Sequence, residues 1–143
     1  MMVALQGSVG DFKRAEPVYT RAKEIANIFN MGHINANNMA MMQLLGAQMY
    51  QLNGDSKEVL TLLGEFAKTC TEGLFPVTVR GDEFFDKLDG FFASNINPVP
   101  RGDKTVKEDI AKYLHDPIFE PLKGDAIYEA ICKKLEDFAK SSD

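Results

Sequence analysis

A chain of 143 residues with 45% hydrophobic and 26% charged side chains has the make-up of one globular domain, and it lacks the low hydrophobicity and high charge of a disordered chain. A net charge of −5 sets up a field that repels phosphate backbones, and the basic residues stand singly or in pairs such as Lys133-Lys134, so nucleic acid is excluded as an expected partner. No apolar run approaches the roughly 18 residues of a membrane span, and two distant cysteines, Cys70 and Cys132, make neither a disulfide framework nor a metal-ligand spacing.

The opening "MMVALQGSVG" has no basic n-region and too short an apolar run for a secretory signal, so a soluble, cytoplasmic protein is expected. Residues 1–10 and 141–143 are expected to be flexible ends of a single helical domain spanning 1–143.

Gly-Asp occurs five times, at Gly10-Asp11, Gly54-Asp55, Gly81-Asp82, Gly102-Asp103 and Gly124-Asp125, and a helical pattern follows each. Glycine closes a helix or turn in a left-handed conformation. Aspartate then accepts hydrogen bonds from the free N–H groups of the next helix and suits its positive end. Two of these pairs follow arginine, which spells the adhesion tripeptide at Arg80-Gly81-Asp82 and Arg101-Gly102-Asp103. A capping role for Asp82 and Asp103 accounts for both.

The helices follow from apolar spacing. Pro17 suits a first turn, after which Val18, Ala22, Ile25 and Phe29 share a face and Gly32 stops the helix. A second helix is predicted from about 35–38 to Asn53-Gly54. A third opens at Asp55-Ser56 with Glu58 as a capping-box partner, carries the stripe Val59, Leu63, Phe66 and Cys70, widened by Leu60, Leu62 and Ala67, and ends at Gly73. Pro76 and the β-branched residues after it make 74–79 an extended connector. Asp82 then opens a helix with Phe84, Phe85, Leu88, Phe91 and Phe92 inward. A Pro-rich loop over 95–103 leads to a helix with Val106, Ile110, Tyr113 and Leu114, for which Thr105 and Glu108 offer a second capping box. Pro117 and Pro121 break it. The last helix carries Ile127, Tyr128, Ile131, Cys132, Leu135 and Phe138. The expected fold is all-α, a single compact irregular bundle of about five to seven helices.

Residues 25–54 contain no Lys, Arg, Asp or Glu, and "MGHINANNMAMMQLLGAQMYQLNG" holds five of the seven methionines. On a helical wheel Met41, Met42, Leu45, Met49 and Leu52 gather on one side, extended by Met39, Gly46 and Tyr50, with Gln43, Ala47, Gln48 and Gln51 opposite. The structural account is a central core helix, which excludes charge because an unpaired buried charge is costly. The functional account is a contact face, since methionine packs against varied surfaces. The candidate partner- or ligand-binding residues are Met39, Met42, Leu45, Met49, Tyr50 and Leu52. The favoured function is a non-enzymatic interaction module, a small regulatory subunit or adaptor that binds a protein partner or itself through residues 31–54. A helical bundle holding an apolar small molecule in a cavity of methionines and phenylalanines is the alternative.

Catalytic signatures are sparse. His115-Asp116 invites a general-base reading, but a histidine near a helix C-terminus also suits the dipole. An enzyme would need a site assembled in space from His115 with Cys70, Cys132 or the acidic group Asp82, Glu83, Asp86 and Asp89. That acidic group lacks the alternating oxygen ligands of a calcium loop. No catalytic residue, cofactor or metal is expected, and no membrane partner.

Overall fold

The computed structural model describes residues 2–75, 83, 85–88, 90 and 102–141. Among these the chain is all-α, with seven α-helices and no strand: α1 (Met2–Gln6), α2 (Phe12–Ile28), α3 (Met31–Ile34), α4 (Ala36–Leu52), α5 (Ser56–Lys68), α6 (Asp103–Tyr113) and α7 (Ala126–Lys140). A π turn (Thr69–Gly73) extends α5, and 3-10 turns lie at Asp86–Leu88 and Pro117–Leu122. No helix of the described residues is long and apolar enough to cross a membrane.

α4 is the hub. It packs against α1, α2, α3 and α5, and also meets the π turn and the Pro117–Leu122 turn. Its burial runs almost all the way round, taking in Ala40, Met42, Gln43, Leu44, Leu45, Gly46, Ala47 and Met49. Charge is missing from this helix because nearly every direction from it is core. Asn35 starts it, its side-chain oxygen accepting from the Asn38 N–H at 3.1 Å.

α2 departs from expectation in start and in phase. It begins at Phe12, so Pro17 lies inside the helix and leaves the Lys13 carbonyl without its usual N–H partner. The buried face is Ala15, Tyr19, Ala22 and Ala26, while Val18 is half-buried and Ile25 and Phe29 are exposed. Small residues line this face because α4 comes close there. α1 packs on α2 and α4, and its Leu5 is fully buried.

α5 matches its predicted stripe: Val59, Leu62, Leu63, Phe66 and Ala67 are buried, and Cys70 continues the line on the π turn. α7 packs on α5 and α6 through Tyr128, Ile131, Cys132 and Leu135. Tyr128 Oη donates to the Leu114 carbonyl oxygen and ties the two ends of the C-terminal pair together. Tyr113 and Ile127, both expected inward, face solvent.

The Gly-Asp device is complete at two of its four described occurrences. Gly54 and Gly124 adopt left-handed φ values of 79° and 88°. Asp55 then accepts from the Glu58 N–H at 3.2 Å, and Asp125 from the N–H groups of Ile127 and Tyr128 at 2.8 and 3.1 Å. The Asp55 N–H goes to the Tyr50 carbonyl, so the reciprocal arm of the expected capping box is not needed. Asp11 caps without its side chain. Asp103 is a correction: Gly102 holds the cap position with an extended backbone, and Asp103 is the first helical residue, with no cap bond from its side chain. Thr105 and Glu108 therefore lie within α6 and form no capping box. The expected connector beyond residue 75, the Arg80-Gly81-Asp82 tripeptide, Phe84, Phe91 and Phe92 lie outside the described residues.

Candidate functional site

The six candidate contact residues divide between core and surface. Met42, Leu45 and Met49 are buried, Met49 fully. Tyr50 is half-buried, its ring edge-on to Phe12 at 5.6 Å and to Tyr19 at 5.9 Å, which makes it a packing residue between α2 and α4. Leu52 is 58% exposed at the end of α4. It stands ten residues from Met42, about 15 Å along the helix axis. These side chains do not form one exposed surface.

Met39 and Met42 do meet other apolar groups. With Met2, Met31, Ile25 and Ala26 they line a recess of about 180 Å³ between the end of α2 and the start of α4. Ile28 does not line the recess; it stands one turn on from Ile25, which does, and has 76% of its surface exposed. Phe29 is also exposed and touches Phe85, ring to ring, at 6.2 Å. The uncharged stretch therefore presents a surface at its N-terminal end, formed by side chains of α2, α3 and α4. Ile28 was not singled out in the sequence. The repeat of small residues at Ala15, Ala22 and Ala26 is the signal that would have turned α2 to its true phase and exposed Ile28.

His115 lies at the surface, its Nε2 3.2 Å from Glu136 Oε1. It borders an open cleft of about 670 Å³ that Cys132 also borders. Burial raises the Cys132 thiol above its ordinary value, against a smaller downward pull from its hydrogen bond with Tyr128. Burial alone pushes Cys70 up to about 12. Both thiols are held protonated at neutral pH, the unreactive form. Cys70 borders a different cleft, with Phe66 and Ile110, so the structure does not bring it to His115. Of the acidic group, Asp86 is exposed and accepts from the Lys87 N–H at 2.8 Å, Glu83 is exposed, and Asp82 and Asp89 lie outside the described residues. Among the described residues no group of three or more His, Cys, Asp or Glu is placed to hold a metal ion.

Comparison with known proteins finds no family model, no curated protein and no solved structure that matches the chain.

Proposed function

We propose that this protein is a non-enzymatic interaction module, a small regulatory or adaptor protein that associates through the uncharged face at the junction of α2, α3 and α4. The observation that carries this is Ile28, exposed one turn on from Ile25 of a methionine-lined recess, in a stretch with no formal charge. A large exposed aliphatic side chain next to an apolar hollow is unfavourable in water and favourable against another apolar surface. The occupant the face fits best is a second copy of the chain. It offers a knob (Ile28) and, one turn away on the same helix, a residue lining a hole (Ile25 at the recess), and a two-fold contact requires a self-complementary surface. No like charge within residues 25–54 opposes that approach, despite the net charge of −5.

Apolar small-molecule binding fits the geometry less well. The recess holds about 180 Å³, below the roughly 300 Å³ at which ligand pockets begin, and no phenylalanine lines it.

Native mass spectrometry across a concentration series tests the proposal. A dimer that grows with concentration and is lost in a folded Ile28→Lys variant is expected. A bare monomer at every concentration overturns it, and a monomer carrying a nonprotein mass supports the small-molecule alternative.

A further inference from the structure

A second surface, of opposite character, lies along the seam of α6 and α7. It is a groove of about 690 Å³ whose walls carry Lys104, Lys107, Lys112 and Lys140 against Glu108 and Glu136. Ala111 and Ala139 supply an apolar floor. This is a local excess of positive charge on a chain of net charge −5.

The two carboxylates of the lining offset only part of it: four lysines face Glu108, which stands one turn from both Lys104 and Lys112 on α6, and Glu136. Glu136 is turned to His115 at 3.2 Å. Lys112 leans on Asp109 at 3.2 Å, an exposed i,i+3 pair of the kind that contributes little and exchanges readily. Lys104 and Lys140 form no ion pair among the described residues. Lys107 is 4% exposed, and its ammonium is fixed over two rings, 4.9 Å from the Phe138 centroid and 5.4 Å from that of Phe75. Cation–π contact holds that charge in place at the groove's base.

Lys104 and Lys112 stand eight residues apart on one helix, about 12 Å along its axis. One phosphate or carboxylate cannot reach both. An extended peptide advances about 3.4 Å per residue, so carboxylates four residues apart span the same distance. We infer that the α6–α7 groove binds an acidic, otherwise apolar segment of a protein partner, with carboxylates at that spacing on Lys104 and Lys112 and small apolar side chains over Ala111 and Ala139. The segment lies in a groove remote in sequence from the uncharged face and does not depend on it.

Fluorescence anisotropy tests the inference with a labelled synthetic octapeptide of alanine and leucine carrying glutamates at its second and sixth positions. A control peptide carries the two glutamates adjacent. Binding of the spaced peptide is expected to weaken with salt and to fall about tenfold or more in Lys104→Gln/Lys112→Gln, a loss of about 1.4 kcal/mol. Both lysines are exposed, and circular dichroism checks that the variant folds; Lys140→Gln is the second variant. Absent binding, unchanged affinity in the folded variants, equal binding of the control peptide, or ready displacement by inorganic phosphate each overturns the inference.

Discussion

A Cβ placed on Gly46 would stand 2.5 Å from Cε2 of Tyr19 and 2.9 Å from Cζ, so these two residues set how closely α2 and α4 approach. Tyr19 is buried, and its ring cannot swing outward without losing that burial. Alanine is the better helix former by about 1 kcal/mol, yet Gly46→Ala is expected to destabilise the fold by about 1–3 kcal/mol, because overpacking outweighs propensity. Urea denaturation measures it. In a Tyr19→Leu background the penalty should shrink or change sign, since the opposing ring is gone. An equal penalty in both backgrounds would contradict this account.

The Gly-Asp marks predict a graded series. Asp125 caps two N–H groups of α7, so Asp125→Ala should cost about 1 kcal/mol or more. Asp55→Ala removes one such bond and should cost about 0.5–1 kcal/mol. Asp103 only sits in the first turn of α6, where the dipole is its sole benefit, so Asp103→Ala should cost a few tenths of a kcal/mol. Thermal or urea unfolding of the three variants gives the order, and an Asp103→Ala cost as large as that of Asp125→Ala would refute it. The expected capping role thus explains Asp55 and Asp125 more fully than it explains the arginine-preceded Asp103.

Helix existence was legible in the sequence because spacing and punctuation agreed. The stripe of α5 was found residue by residue, and the inner face of α7 was found except for Ile127, which faces solvent. The phase of α2 was not, because three of its four buried residues are alanines, which carry little hydrophobic signal, while the stronger signals Ile25 and Phe29 are exposed. α4 misled in another way. Once a helix is buried on nearly all sides, a wheel no longer separates core from contact, so Met49 and Leu52 were grouped although one is enclosed and the other exposed. Lys107 gave no local sign of burial; its place depends on Phe75 and Phe138, which only the fold brings together.

Stability should decline in alkali, with a definite sign. The Cys70 thiol rises from an ordinary 9.0 to about 12 through burial. Between those values the unfolded chain has lost the proton that the folded chain keeps, so the native state binds more protons and its stability falls as pH rises. The contribution is complete below pH 9 and is lost as pH climbs through 12, by about 1.4 kcal/mol per unit. Burial raises Tyr19 and Tyr128 in the same direction, and these add their effect from about pH 10, where an unfolded tyrosine ionises. Denaturant titrations at closely spaced pH values between 9 and 10 read the two buried thiols, Cys132 adding to Cys70 in the same direction. Cys70→Ala should flatten the slope there, whatever it does to stability at pH 7; an unchanged slope would assign the alkaline loss elsewhere.

Ile28 and Met49 separate contact from core in a way that substitutions chosen from the sequence would not. Charging Met42 or Met49 places an unpaired ion in a buried site, so loss of association would be indistinguishable from loss of folding. Even Met49→Ala should cost about 2–5 kcal/mol by leaving a cavity. Ile28 is exposed on the last turn of α2, where lysine suits the negative helix end, so Ile28→Lys should change stability by no more than about 0.5 kcal/mol. Its effect should fall on association alone, read by sedimentation or native mass spectrometry beside an unchanged urea midpoint. If Ile28→Lys instead lowers the midpoint as Met49→Ala does, Ile28 belongs to the packed interior of the folded chain and the uncharged face is not a contact surface.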